Sequence, residues 1–128
     1  MSRIRFIVSI ALLLILAPAA LAHARLVRSI PGKGAALSQP PAQIELWFNE
    51  LLDAGFNSIE VFASSEIGAP KRTNLAKEKP SVAARDRTHL TLKLEPLPPG
   101  DYAVEWRVLS RVGHSAPGRF TFRILPAK

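Results

Sequence analysis

"YAVEWRV", Tyr102 to Val108, alternates without a break. Tyr102, Val104, Trp106 and Val108 fall on one side, and Ala103, Glu105 and Arg107 on the other. A period of two is the mark of a strand with one dry face and one wet face. The same rhythm recurs on both sides of this stretch. "FTFRI" sets Phe120, Phe122 and Ile124 against Thr121 and Arg123. "IELWF" sets Ile44, Leu46 and Phe48 against Glu45 and Trp47. "SIEVF" pairs Ile59 with Val61, and "THLTLKL" puts Leu90, Leu92 and Leu94 inward, with His89, Thr91 and Lys93 outward.

Turn signals separate these runs: Pro31-Gly32, Pro40-Pro41, Ala54-Gly55, Pro98-Pro99-Gly100 and Pro117-Gly118. The 11 prolines of this 128-residue chain fit short strands and rigid turns, and do not fit helices. Glu66 to Arg87 is polar and aperiodic, a long connection with room for one short edge strand. Short strands, frequent turns and no helical segment predict an all-β, two-sheet sandwich with Greek-key connections.

The N-terminus reads differently. Arg3 and Arg5 precede an apolar run from Phe6 to Leu16, and Ala20-Leu21-Ala22 fits a small-x-small cleavage pattern. Residues 1–22 therefore read as a secretory signal peptide and 23–128 as one exported domain. The apolar run is short for a membrane span. Cleavage after Ala22 makes His23 the first residue; cleavage after Ala24 would remove it.

The formal net charge is +7, and two of the cations, Arg3 and Arg5, lie in the leader, leaving about +5 for the rest. The basic residues are scattered and do not alternate with aromatics as a stacking platform requires, so no nucleic-acid partner is expected. A basic exported domain can still meet anionic lipid headgroups. With no cysteine, neither a disulfide framework nor a thiolate metal site can be built.

No Gly-x-Ser-x-Gly elbow surrounds any serine, Ser110 included, and no phosphate-cradling glycine loop occurs. Glu50 and Asp53 are close in sequence but read as polar strand termini rather than an acid–base pair. No enzymatic machinery is expected. Three histidines remain: His23, His89 and His114. His89 reads as a solvated residue on the wet side of its strand. His114 follows Gly113 in a loop between two strands, where function collects.

As residue one, His23 would carry a free α-amine, whose ordinary pKa of about 7.7–8.0 lies well below that of lysine. The amine nitrogen and Nδ1 can then close a six-membered chelate ring on one metal. A second histidine would complete a T-shaped nitrogen set, which suits Cu(II). This requires His23 and His114 to meet in space.

Several stretches resemble the CopC-type periplasmic copper-binding domain family: "HARLVRSIPGKGAAL", "IELWFNE" and "LPPGDYAVEWRVLSRVGHSAPGRFTF". The resemblance covers nearly all of residues 23–128 and is weak only over Glu66 to Arg87. It implies an immunoglobulin-like Greek-key β-sandwich, or small β-barrel, that binds Cu(II) near its N-terminus. The family's first histidine falls on His23 and its later one on His114. The acidic residue closing the Phe-x-Glu strand falls on Glu50, implied as a weaker or more distant ligand. It further implies a periplasmic protein that buffers or delivers copper, with an inner-membrane copper transporter as partner.

Two departures stand out. The family often has an aspartate two residues before the later histidine; here that residue is Val112, which in an extended segment would point to the same side as His114. The only methionine is Met1, so no thioether Cu(I) site is expected. The competing expectation is an immunoglobulin-like interaction module with a degenerate copper site and no metal role.

Overall fold

The computed structural model describes residues 23–128; the expected signal peptide, residues 1–22, lies outside the described residues. Eight strands follow in order: β1 (Leu26–Ile30), β2 (Ala36–Leu37), β3 (Gln43–Phe48), β4 (Ser58–Ala63), β5 (Ser81–Ala83), β6 (Asp86–Lys93), β7 (Gly100–Leu109) and β8 (Ser115–Ile124), with a 3-10 turn at Ser64–Glu66. They form two four-stranded sheets, β1-β3-β6-β5 and β2-β8-β7-β4. All pairings are antiparallel except the short parallel contact of β2 with β8. This is the expected immunoglobulin-like Greek-key sandwich.

The alternating runs supply its core. Ile44, Leu46 and Phe48 of β3 and Leu90 and Leu92 of β6 meet Val104, Trp106 and Val108 of β7 and Phe120 and Phe122 of β8. The Trp106 ring lies under Gly118, where an added Cβ would sit 2.1 Å from an indole carbon. Glycine is required there so that the indole fits beneath the opposing strand. Tyr102 donates its hydroxyl to the Pro98 carbonyl at 2.6 Å, pinning the turn into β7. Burial pushes its phenol up, which keeps the proton on that donor.

Two expectations need correction. Pro117-Gly118 is not a turn but lies within β8. β2 covers only Arg123 and Ile124 of β8, so Pro117 lies where the strand has an open edge and tolerates a residue without an N–H. The turn between β7 and β8 is instead Arg111–His114. Second, His89 faces outward but is not solvated: its side chain is only 16% exposed, and its ring stacks on Trp47 at 4.1 Å and 8°.

The long connection does contain the expected short edge strand, β5. Its middle part shields the outer side of the other sheet. Leu75 N–H donates to Val61 O, Asn74 Oδ1 accepts from Val61 N–H, and Arg72 lies 4.5 Å over the Phe62 ring. Phe62 and Ala103, paired on that outer side, are thereby fully buried.

Candidate metal centre

The β7–β8 turn is built around Ser110, which is 2% exposed. Its N–H donates to His114 O at 2.8 Å, and its Oγ accepts from His114 N–H at 3.0 Å. Gly113 N–H closes the turn on Ser110 O, and Gly113 sits at φ +89, a conformation that favours glycine. A serine three residues before a glycine and four before a histidine was the available sign of this turn. As a candidate nucleophile Ser110 had no support, and its actual role is structural.

The segment after β3 braces the turn from the other sheet. Arg111 N–H donates to Leu51 O, Leu52 bridges Ser110, and Leu52 N–H donates to Arg87 O. Glu50 is thereby carried up to the imidazole: His114 Nδ1 lies 3.5 Å from Glu50 Oε1. The contact is long for a hydrogen bond. It still commits Nδ1 to the carboxylate side and leaves Nε2 as the nitrogen open to a ligand. The His114 side chain is 35% exposed.

His23 is exposed and immediately precedes Ala24, which is buried in the core. Arg25 N–H donates to Asn49 Oδ1 at 2.7 Å, and Asn49 N–H returns a bond to Arg25 O at 3.0 Å. Asn49 thus pins the N-terminal segment one residue before Glu50. One open cleft is lined by His23, Asn49 and Ser115, the last being the neighbour of His114. Asn49 was not singled out in the sequence; its place inside "WFNE" offered no signal beyond adjacency to Glu50.

The fold therefore brings Glu50 and His114 into contact and sends His23 to the same end. Among the described residues, no three His, Cys, Asp or Glu side chains converge as a preformed metal cage. The donor set nevertheless fits a cation. Glu50 Oε2 is buried without a hydrogen-bond partner beside the imidazole. A buried carboxylate oxygen without a partner is best satisfied by a cation nearby. Metal-bound histidines commonly place their second ring nitrogen against a carboxylate, the arrangement His114 and Glu50 already have.

Val112 does not follow the extended-strand expectation. The turn sends it outward, 72% exposed, where it lines a shallow groove with Glu50 and Leu51.

Comparison with known proteins gives one family. The CopC domain profile matches residues 26–125. The copper transport protein CutJ of Bacillus subtilis (strain 168) is 32% identical over 97% of this chain, which spans only 22% of CutJ. Copper resistance protein C of Pseudomonas syringae pv. tomato is 29% identical over 97% of this chain and 98% of its own length. The crystal structure of CopC from Methylosinus trichosporium OB3b superposes with a TM-score of 0.72 at 27% identity, covering 83% of this chain and 97% of that one. Family profile, relatives and fold agree: the chain belongs to the CopC domain family of copper resistance and transport proteins.

Proposed function

We infer that this chain is a non-catalytic Cu(II)-binding protein that buffers or delivers copper in the periplasm. Removal of residues 1–22 frees the His23 amine. That amine and His23 Nδ1 chelate the ion, and His114 Nε2 supplies the third nitrogen. Glu50 holds the far side of the His114 ring and adds negative charge. The observation that carries this reading is the 3.5 Å approach of Glu50 to His114 Nδ1, at the end of the sandwich where Asn49 pins the His23 segment. Three neutral nitrogen donors, with the Glu50 carboxylate behind the His114 ring, suit Cu(II). The likeness to CutJ, a longer protein named for copper transport, supports a membrane copper transporter as the partner.

The test is Cu(II) titration of two chains, one starting at His23 and one with a single glycine added before it. The addition converts the amine into an amide, a far poorer ligand at neutral pH. A large loss of affinity is expected. Equal affinities would overturn the amine chelate, and no Cu(II) binding by either chain would favour the interaction module. Intact mass of the exported protein checks the cleavage: a mature start at Arg25 removes the proposed site.

A further inference from the structure

The two outer faces of the sandwich handle cations differently. On the β2-β8-β7-β4 face most arginines are neutralised. Arg72 reaches Glu105 at 2.7 Å and Glu60 at 2.9 Å, Arg119 shares Glu105 at 3.3 Å, and Arg123 holds Asp101 at 2.6 Å.

On the β1-β3-β6-β5 face the strand register lines up Arg28, Trp47 and His89 in one row across three strands. The Arg28 guanidinium lies 4.5 Å from the Trp47 ring centroid, while His89 stacks on the same indole. A guanidinium held by its plane keeps its N–H edge directed to solvent, the edge that recognises phosphate oxygens. Arg87 and Lys93 project from β6 on the same side and are exposed. Among the described residues, no carboxylate lies within 4 Å of Arg28, Arg87 or Lys93. Of the nearby carboxylates, Glu45 faces His89 at 3.2 Å, and Asp86, exposed at the start of β6, accepts from the Thr88 hydroxyl at 2.6 Å. Beside this row, the edge strand β1 exposes Val27 at 60% and Ile30 at 41%. Unneutralised cations interleaved with apolar side chains fit the boundary between headgroups and acyl chains.

We propose that this face docks the protein on an anionic phospholipid surface, with Arg28, Arg87 and Lys93 on headgroup phosphates and Val27 and Ile30 at the acyl boundary. Because β1 begins just after His23, docking through it holds the N-terminal end at the bilayer. Docking of this kind needs no metal and is independent of copper binding.

The test is co-sedimentation of the chain from His23, which contains both sheets and the whole core, with phosphatidylglycerol–phosphatidylcholine vesicles and with phosphatidylcholine alone. At about 0.1 M salt, charges more than about 10 Å from the surface contribute little. Binding only to the anionic vesicles is expected, weakening as salt rises. Each interfacial cation is worth about fivefold in affinity, so Arg28→Gln with Arg87→Gln and Lys93→Gln should cost about a hundredfold. The control triple, Lys71→Gln with Arg107→Gln and Lys128→Gln, removes the same charge elsewhere and should cost much less. Equal losses in the two triples, or no preference for anionic vesicles, would overturn the proposal. So would retention of millimolar inorganic phosphate by these residues without vesicle binding. If losing the Arg28–Trp47 stack unfolds the first triple, Arg87→Gln with Lys93→Gln keeps the stack and should still cost about 25-fold.

Discussion

Two histidine–carboxylate pairs lie in this domain, and they have different fates. His114 approaches Glu50 through Nδ1 at 3.5 Å, and His89 approaches Glu45 through Nε2 at 3.2 Å. By distance alone the second is the tighter pair. Yet His89 Nε2 is buried and too poorly aligned with Glu45 to make a hydrogen bond, and its ring is packed flat on Trp47. His89 is held by stacking in the middle of a sheet. His114 sits on a turn, one ring nitrogen toward a carboxylate and the other open. The difference teaches that a histidine's availability is set by what occupies its ring face and its second nitrogen, and not by the presence of an acidic neighbour.

The sharpest way to break this comparison is to remove each imidazole and measure Cu(II) affinity. His114→Ala deletes a proposed ligand and should cost more than about a hundredfold, beyond the range for losing a residue that only supports a ligand. His89→Ala should leave affinity unchanged. If His89→Ala proves the more damaging, the copper site is on the sheet face and the assignment of His114 is wrong.

Next in size is Glu50→Gln. It keeps the volume and removes the charge beside His114 Nδ1. An affinity loss of about 10–100-fold is expected, as for other partners of a metal-bound histidine. Glu45→Gln should do nothing to copper binding. A silent Glu50→Gln would mean that the 3.5 Å contact has no bearing on the metal.

The unequal legibility of the two pairs follows from how each is made. Period-two alternation marks which side of a strand a residue faces, and β3, β6 and β7 followed it closely. It placed His89 on the outer face correctly. It carried no information about Trp47, one strand away, because cross-strand neighbours depend on register and not on local pattern. Pro117-Gly118 misled for a related reason: a proline is forbidden only where the ladder needs its N–H, and the brevity of β2 is a tertiary fact. The glycine before His114 was visible as a turn signal, and Glu50 was implied by family resemblance alone. Asn49 and Ser110, which hold the site's two segments in place, act through side-chain oxygens that accept backbone N–H groups, which no spacing of apolar residues encodes.

Thermal stability reverses the ranking of the histidines. His89→Ala removes a ring stacked on Trp47 and should destabilise the fold by about 1 kcal/mol, lowering Tm by roughly 4–8 °C for a domain of this size. His89→Phe keeps an aromatic face against Trp47 and should recover most of that loss. His114→Ala, on a turn whose hydrogen bonds run through the backbone and Ser110, should shift Tm far less. A larger drop for His114→Ala would show that its ring, and not its backbone, holds the turn.

The smallest expected effect belongs to Val112→Asp. Val112 is 72% exposed and borders the same groove as Glu50. An aspartate there adds an anion near His114 without burying it, so stability should change by no more than about 0.5 kcal/mol. At an exposed position the added attraction for a cation is screened, and the gain in Cu(II) affinity should be about two- to fivefold. Negative charge favours Cu(II) over Cu(I), so the reduction potential of the bound ion should fall slightly. The matched control is Thr91→Asp, which puts the same charge on the sheet face near His89 and should change neither quantity. If both substitutions raise affinity equally, the gain is a property of net charge. Position 112 would then have no special access to the metal, and the turn would present His114 to the ion without help from its neighbours.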